Sequence, residues 1–175
     1  MAEPFTIGIK LKPYVARHLI NTFGDPVNLY CKEGRSLHQF IINALKNPEK
    51  RYDKRINLDY FDGETRFVIS KSDFYQYGWE MSKTDMVKFN SIVEAQVKIM
   101  CRCYILFDKS LGVPVYKSAK NFQNEFGFSE QDFPAETIIK DFNRNASYLK
   151  FDKTLIIKDI KKLFTVQLSK IRTFA

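Results

Sequence analysis

Histidine is almost missing from this chain, which carries only His18 and His38 among 175 residues. A rolling-circle relaxase needs a His-x-His metal pair beside a catalytic tyrosine, so nine tyrosines alone do not make one. There is also no Gly-x-Ser-x-Gly elbow, no phosphate-binding Gly-Lys-Ser/Thr loop and no Gly-x-Gly-x-x-Gly fingerprint. Cysteine is sparse too: Cys31, Cys101 and Cys103 are an odd number with no disulfide framework. Cys101 and Cys103 fall in a helical pattern, where residues two apart point roughly 200° apart, so they do not converge on a metal. No metal site and no cofactor is expected. No apolar run approaches the roughly 18 residues of a membrane span. The start, "MAEPFTIGIKLKPY", has an acid and a proline where a signal peptide would carry positive charge. Together these absences predict a cytoplasmic protein that is not an enzyme.

What is present is an ordinary folded composition, 45% hydrophobic and 27% charged, with a net charge of +8. The excess of base over acid gives a pI near 9.3, a modest bias that attracts phosphate polymers and anionic membrane surfaces, although many basic globular proteins bind neither. The charge is unevenly placed. From Asn145 to Ala175 there are seven basic residues, including Lys158, Lys161 and Lys162, against Asp152 and Asp159.

Periodicity divides the chain into an α+β part, residues 1–78, and a helical part, residues 79–175. In the first part "FTIGIKLK" alternates Phe5, Ile7, Ile9 and Leu11 against polar positions, the period of a half-buried strand. Pro13 opens a helix that Gly24 closes, and "VNLYC" is expected to be a short strand. Ser36 and Gln39 have capping-box spacing, which predicts a second helix from there to Asn47-Pro48. "RINLDYF", Asp62-Gly63 and "ETRFVI" read as a hairpin. Asp59, Asp62 and Glu64 form the best acidic group for a metal-dependent nuclease, but the turn and the strand's solvent face account for them. "SDFYQYGW" reads as an aromatic connector.

From Ser82 the period is helical. Ser82 and Asp85 form a cap pair ahead of a helix to Lys109. Its apolar arc, from Met86, Phe89, Val93 and Val97 to Met100, Tyr104 and Phe107, is widened to half the circumference by Ile92, Ile99, Cys103 and Leu106. So wide an arc predicts burial against the N-terminal sheet or in a homodimer. Lys98, Arg102 and Lys109 share its polar side.

Residues 115–145 have the pattern of a helix-turn-helix. Ala119, Phe122 and Phe126 make one helical face that Gly127 closes. Ser129 and Asp132 are expected to cap a second helix whose buried stripe is Ala135, Ile138, Phe142 and Ala146. Its outward side chains, Thr137, Lys140, Asn143 and Arg144, are of the types that reach bases and phosphates. Lys98, Arg102, Lys158, Lys161 and Lys162 are then candidate phosphate contacts. Against this stand Glu136 and Asp141, which would lie close to any phosphate backbone. The tail reads as a basic amphipathic helix from about Thr154, with Ile156, Ile160, Leu163, Phe164, Leu168 and Ile171 on one face, which suits docking on the core with a solvated basic side better than lying on a membrane surface.

"YGWEMSKTDMVKFNSIVE" followed by "FQNEFGFSEQDFPAETIIKDFNR" resembles short proteins of Bacteroidota phages and integrated mobile elements. The resemblance covers Ile69 to Arg144 and implies a mobile-element setting, with no activity or site residues attached. The sequence therefore predicts an α+β protein that binds duplex DNA without catalysis. The alternative is a protein-interaction component of an assembly.

Overall fold

The computed structural model describes residues 5–46, 61 and 63–145 and is of the mixed α+β class. Strand β1 (Phe5–Leu11) turns Ile7, Ile9 and Leu11 inward, as its alternation requires. It pairs antiparallel with β3 (Gly63–Ile69), Phe5 opposite Ile69 and Leu11 opposite Gly63. The expected hairpin partner at residues 56–61 lies outside the described residues, except Phe61. The "VNLYC" segment is not a strand. Among the described residues, Val27 bridges the edge of β3 that faces away from β1, donating to Arg66 O at 2.8 Å and accepting from Val68 N at 2.9 Å. The chain then turns away as Asn28 Oδ1 accepts from Tyr30 N.

Helix α1 (Pro13–Phe23) begins on a proline, whose missing N–H costs nothing in a first turn, and ends at Gly24 with φ +87°. Helix α2 (Arg35–Ala44) departs from the capping expectation. Gly34 precedes it with no side-chain cap, and Ser36 is an exposed residue of its first turn. The start is set by packing: a Cβ on Gly34 would sit 2.8–2.9 Å from Leu29 backbone atoms, so only glycine fits. The helix stops at Ala44, short of Asn47. Leu45–Lys46 (β2) instead pairs with Glu80–Met81 (β4).

The aromatic connector is a helix, α3 (Lys71–Tyr77). Ser70 Oγ accepts from Asp73 N and donates to Asp73 Oδ2, capping a segment whose aromatics hid its helical character. Phe74 stacks on Trp79 at 5.3 Å.

Helix α4 (Lys83–Ser110) starts at Ser82, whose hydroxyl accepts from Asp85 N. Its buried ridge is Phe89, Val93, Val97, Cys101 and Ile105, an unbroken i, i+4 series. This is narrower than the expected half circumference and rotated from it. Ile92, Ile99, Cys103 and Phe107 are exposed, while Cys101 and Ile105 take the inner positions. The reason is that α4 is covered along one ridge rather than enclosed: α1, α2 and β1 pack against it as one flank, and α5 (Val115–Glu125) and α6 (Ala135–Asn145) as a second. One continuous core runs from Ile7 to Phe142.

Asn90 is buried on α4 and joins the two parts of the chain. Its Oδ1 accepts from Lys12 N at 2.9 Å, and its Nδ2 donates to Lys10 O at 3.1 Å. These are the backbone groups that β1 leaves unpaired as it ends. Among the described residues no helix is long and apolar enough to cross a membrane.

Candidate nucleic-acid interface

Helix α5 buries Ala119 and Phe122, and Gly127 ends it in the left-handed region at φ +67°. Phe122 lies 4.6 Å from Phe126, 5.5 Å from Tyr104 and 5.7 Å from Phe128, so the joint of the two helices is an aromatic cluster. The connection runs from Phe126 to Pro134, longer than the three- or four-residue turn of the DNA-reading motif. Ser129 and Asp132 do cap one another reciprocally, but they close a separate turn in this connection. The first N–H of α6, on Ala135, is instead met by Glu130 Oε1 at 3.0 Å. Glu130 is tied back to α5 by Lys120 and by Gln123 Nε2, which also donates to Phe133 O at 2.6 Å. Tyr14 of α1 stacks on Phe133 at 4.6 Å, and Asn21 Nδ2 donates to Phe126 O. The start of α6 is therefore anchored to both neighbouring helices.

Along α6, Ala135, Ile138 and Phe142 face the core. Thr137, Lys140, Asn143 and Arg144 are all exposed, and at 100° per residue they share an arc of about 120°. The structure brings these four together. Lys140 Nζ rests on Glu136 Oε1 at 2.6 Å, an exposed pair that water screens and a phosphate can exchange into.

Lys98 and Arg102 are placed differently, each committed to an acid. Lys98 Nζ meets Glu94 Oε1 at 2.5 Å. Arg102 forks onto Asp141, Nε to Oδ2 at 2.6 Å and Nη2 to Oδ1 at 2.8 Å, clamping α6 to α4. Burial pushes the Asp141 carboxyl up, but the guanidinium outweighs it and holds the pKa below its ordinary value. Asp141 is therefore a neutralised partner of Arg102 rather than a free charge facing solvent. Its role was not legible beforehand, because the pair is 39 residues apart. Lys158, Lys161 and Lys162 lie outside the described residues.

Beside the clamp, Glu94 gathers Lys12 Nζ at 2.5 Å, Lys98 and the Tyr14 hydroxyl. Its burial favours the protonated acid, yet those three donors hold its pKa at about 2, far below 4.5. Burial and the neighbouring Glu94 together raise the Tyr14 pKa, which keeps the hydroxyl a donor.

An open cavity of about 610 Å³ lies between the end of α1 and the turn after α5, lined by His18, Asn21, Asn124 and Glu125. Burial lowers the pKa of His18, so it is neutral at pH 7. No group of three or more His, Cys, Asp or Glu able to hold a metal occurs among the described residues. Of the acidic trio at the hairpin, Glu64 is an exposed residue of β3, and Asp59 and Asp62 lie outside the described residues. Comparison with protein-family models, curated proteins and solved structures gives no match.

Proposed function

We propose that the protein binds duplex DNA without catalysis, presenting the outer face of α6 to the groove. The observation that carries this reading is the shared exposure of Thr137, Lys140, Asn143 and Arg144 on a helix whose other face is locked into the core. A reading element must hold its side chains in register with the bases, and the Arg102–Asp141 clamp supplies that rigidity. It also removes an objection, since Asp141 and Glu136 each have a counter-ion. Arg102 is withdrawn from phosphate binding by Asp141, and Lys98 by its own pair with Glu94. That task falls to the basic C-terminal segment, including Lys158, Lys161 and Lys162, which carries most of the net positive charge. The setting that fits the resemblance of residues 69–144 is regulation in a phage or mobile element.

Duplex binding measured across salt concentrations tests this directly. Changing Lys161 and Lys162 to Ala weakens binding to every duplex and flattens the salt dependence by about one unit of slope per lost phosphate contact. Changing Asn143 and Arg144 to Ala removes the preference for a selected site, at about 1–3 kcal/mol per lost base contact. Duplex affinity weaker than about millimolar at low salt, outside the usual non-specific range, overturns the reading.

A second reading has its own observation. Tyr75 and Trp79 are exposed and both pack on Phe74, and Tyr77 nearby is exposed too, a composition enriched at protein interfaces. On that reading the chain is an interaction component, and changing Tyr75 and Trp79 to Ser abolishes its assembly while leaving its fold intact.

A further inference from the structure

The open cavity of about 610 Å³ between α1 and the turn after α5 takes no part in duplex binding as proposed. Its two walls are tied together. Asn21 Nδ2 donates to Phe126 O at 2.9 Å across 105 positions of sequence. Gly127 leaves room for that amide, since a Cβ there would stand 3.0 Å from it. Phe126 is held in turn by Phe122 at 4.6 Å and Tyr104 at 6.0 Å between ring centroids. The cavity is therefore a fixed feature of the fold, and its volume is that of sites that take small organic ligands.

The lining decides which ligand. Among the described residues no lysine or arginine borders the cavity, and burial keeps His18 neutral at pH 7. The Glu125 carboxylate is the one charged group of the described lining, and no cation pairs with it among the described residues. Charge thus disfavours an anion and favours a neutral or cationic ligand. The polar atoms are mostly acceptors. Asn21 and Thr22 commit their donors to Phe126 O and His18 O, which leaves Asn21 Oδ1 and Thr22 Oγ1 to accept beside Glu125. The Asn124 side-chain amide and the neutral His18 ring each add a donor and an acceptor. The apolar remainder is the Phe126 ring and the Met100 thioether, groups on which a flat ring packs.

We propose that this cavity binds a small, flat nitrogen heterocycle bearing an exocyclic amino group: an aminopurine or aminopyrimidine base without phosphate. The amino hydrogens meet the Glu125 carboxylate, the ring nitrogens meet Asn124 and His18, and the ring lies against Phe126 and Met100.

The site does not rest on the nucleic-acid reading and is tested without nucleic acid. The full-length, isotope-labelled protein is titrated with adenine and with adenosine, which share the ring and its amino group. Hypoxanthine, which carries an oxo group in place of the amino group, and benzoate are the controls. The expected result is saturable NMR shifts of the Asn124 side-chain amide and the Gly127 backbone N–H with adenine or adenosine, at a Kd below about 1 mM. Hypoxanthine binds at least about fivefold more weakly, and benzoate does not bind. Glu125→Gln, a change at an exposed residue that keeps the side chain's size, weakens binding at least about tenfold by removing the charged acceptor. Changing Tyr75 and Trp79 to Ser leaves the affinity unchanged, which separates the cavity from stacking on exposed rings.

No saturable shift with adenine or adenosine up to about 5 mM overturns the proposal. So does hypoxanthine or benzoate binding as tightly as adenine, which would mean a cleft that does not select the amino group. Binding that survives Glu125→Gln undiminished, or that is lost with Tyr75 and Trp79, overturns it as well.

Discussion

The two flanks of α4 are built on different principles. On the N-terminal flank β1 meets the helix through a buried polar pin, the Asn90 amide holding Lys10 O and Lys12 N across about 80 positions of sequence. On the C-terminal flank α5 and the turn after it close on α4 through stacked and edge-on rings around Phe122. Hydrogen bonds are directional and set the register of β1 against α4, while ring packing supplies area and tolerates small shifts. The amide specifies position where β1 meets α4, and the rings supply cohesion where α5 does.

Two truncations separate these roles. Phe122→Ala removes a fully buried ring and is expected to lower stability by about 3–5 kcal/mol. Hydrogen exchange should then rise first in α5 and α6. Asn90→Ala leaves the part-buried Lys12 N–H and Lys10 carbonyl without this partner, and is expected to cost about 1–3 kcal/mol. Its exchange should rise first in β1 and the start of α1. Equal loss of protection on both flanks in either variant would mean that the division is not real.

A smaller effect sharpens the same comparison at the seam between the flanks. Glu94 has a folded pKa of about 2 against an ordinary 4.5. Its pKa is depressed by folding, so the stabilisation is complete above pH 4.5 and is lost as pH falls toward 2. Glu94→Gln is expected to cost about 1 kcal/mol at neutral pH, as partly exposed ion pairs do. It should also remove that part of the acid sensitivity in urea titrations between pH 5 and pH 2.

The sequence was readable where a local rule decides the structure. Pro13 and Gly24 bound α1, the Ser82–Asp85 cap starts α4, and the alternation of Ile7, Ile9 and Leu11 makes β1. It misled where a distant partner decides. Ser36 has the spacing of a cap, but Gly34 seated on Leu29 starts α2 two residues earlier than that cap would. Cys101 and Ile105 displace Met100 and Tyr104 from the centre of the buried ridge, because the flanks rather than the helix choose its inner face. Asn90 looks like any solvent-side amide until β1 is laid beside it. In the candidate site, the outward set on α6 was legible from its 3.6-residue period. The withdrawal of Arg102 was not, because its acid comes from α6; that of Lys98 was missed although Glu94 stands one turn before it on the same helix.

The position of α4 between its two flanks has a consequence for the order in which the protein is made. Synthesis runs from the N-terminus, so β1, α1, α2 and β3 all leave the ribosome before Phe89, Asn90 and Val93 exist. Until then Phe67 lacks the ring of Phe89 that it meets at 5.8 Å, and the end of β1 lacks its amide partner. The N-terminal elements must wait with apolar surface uncovered, the state in which a nascent chain is most open to chaperones and to wrong partners. The C-terminal pair has no such wait, because its helix is already there to receive it.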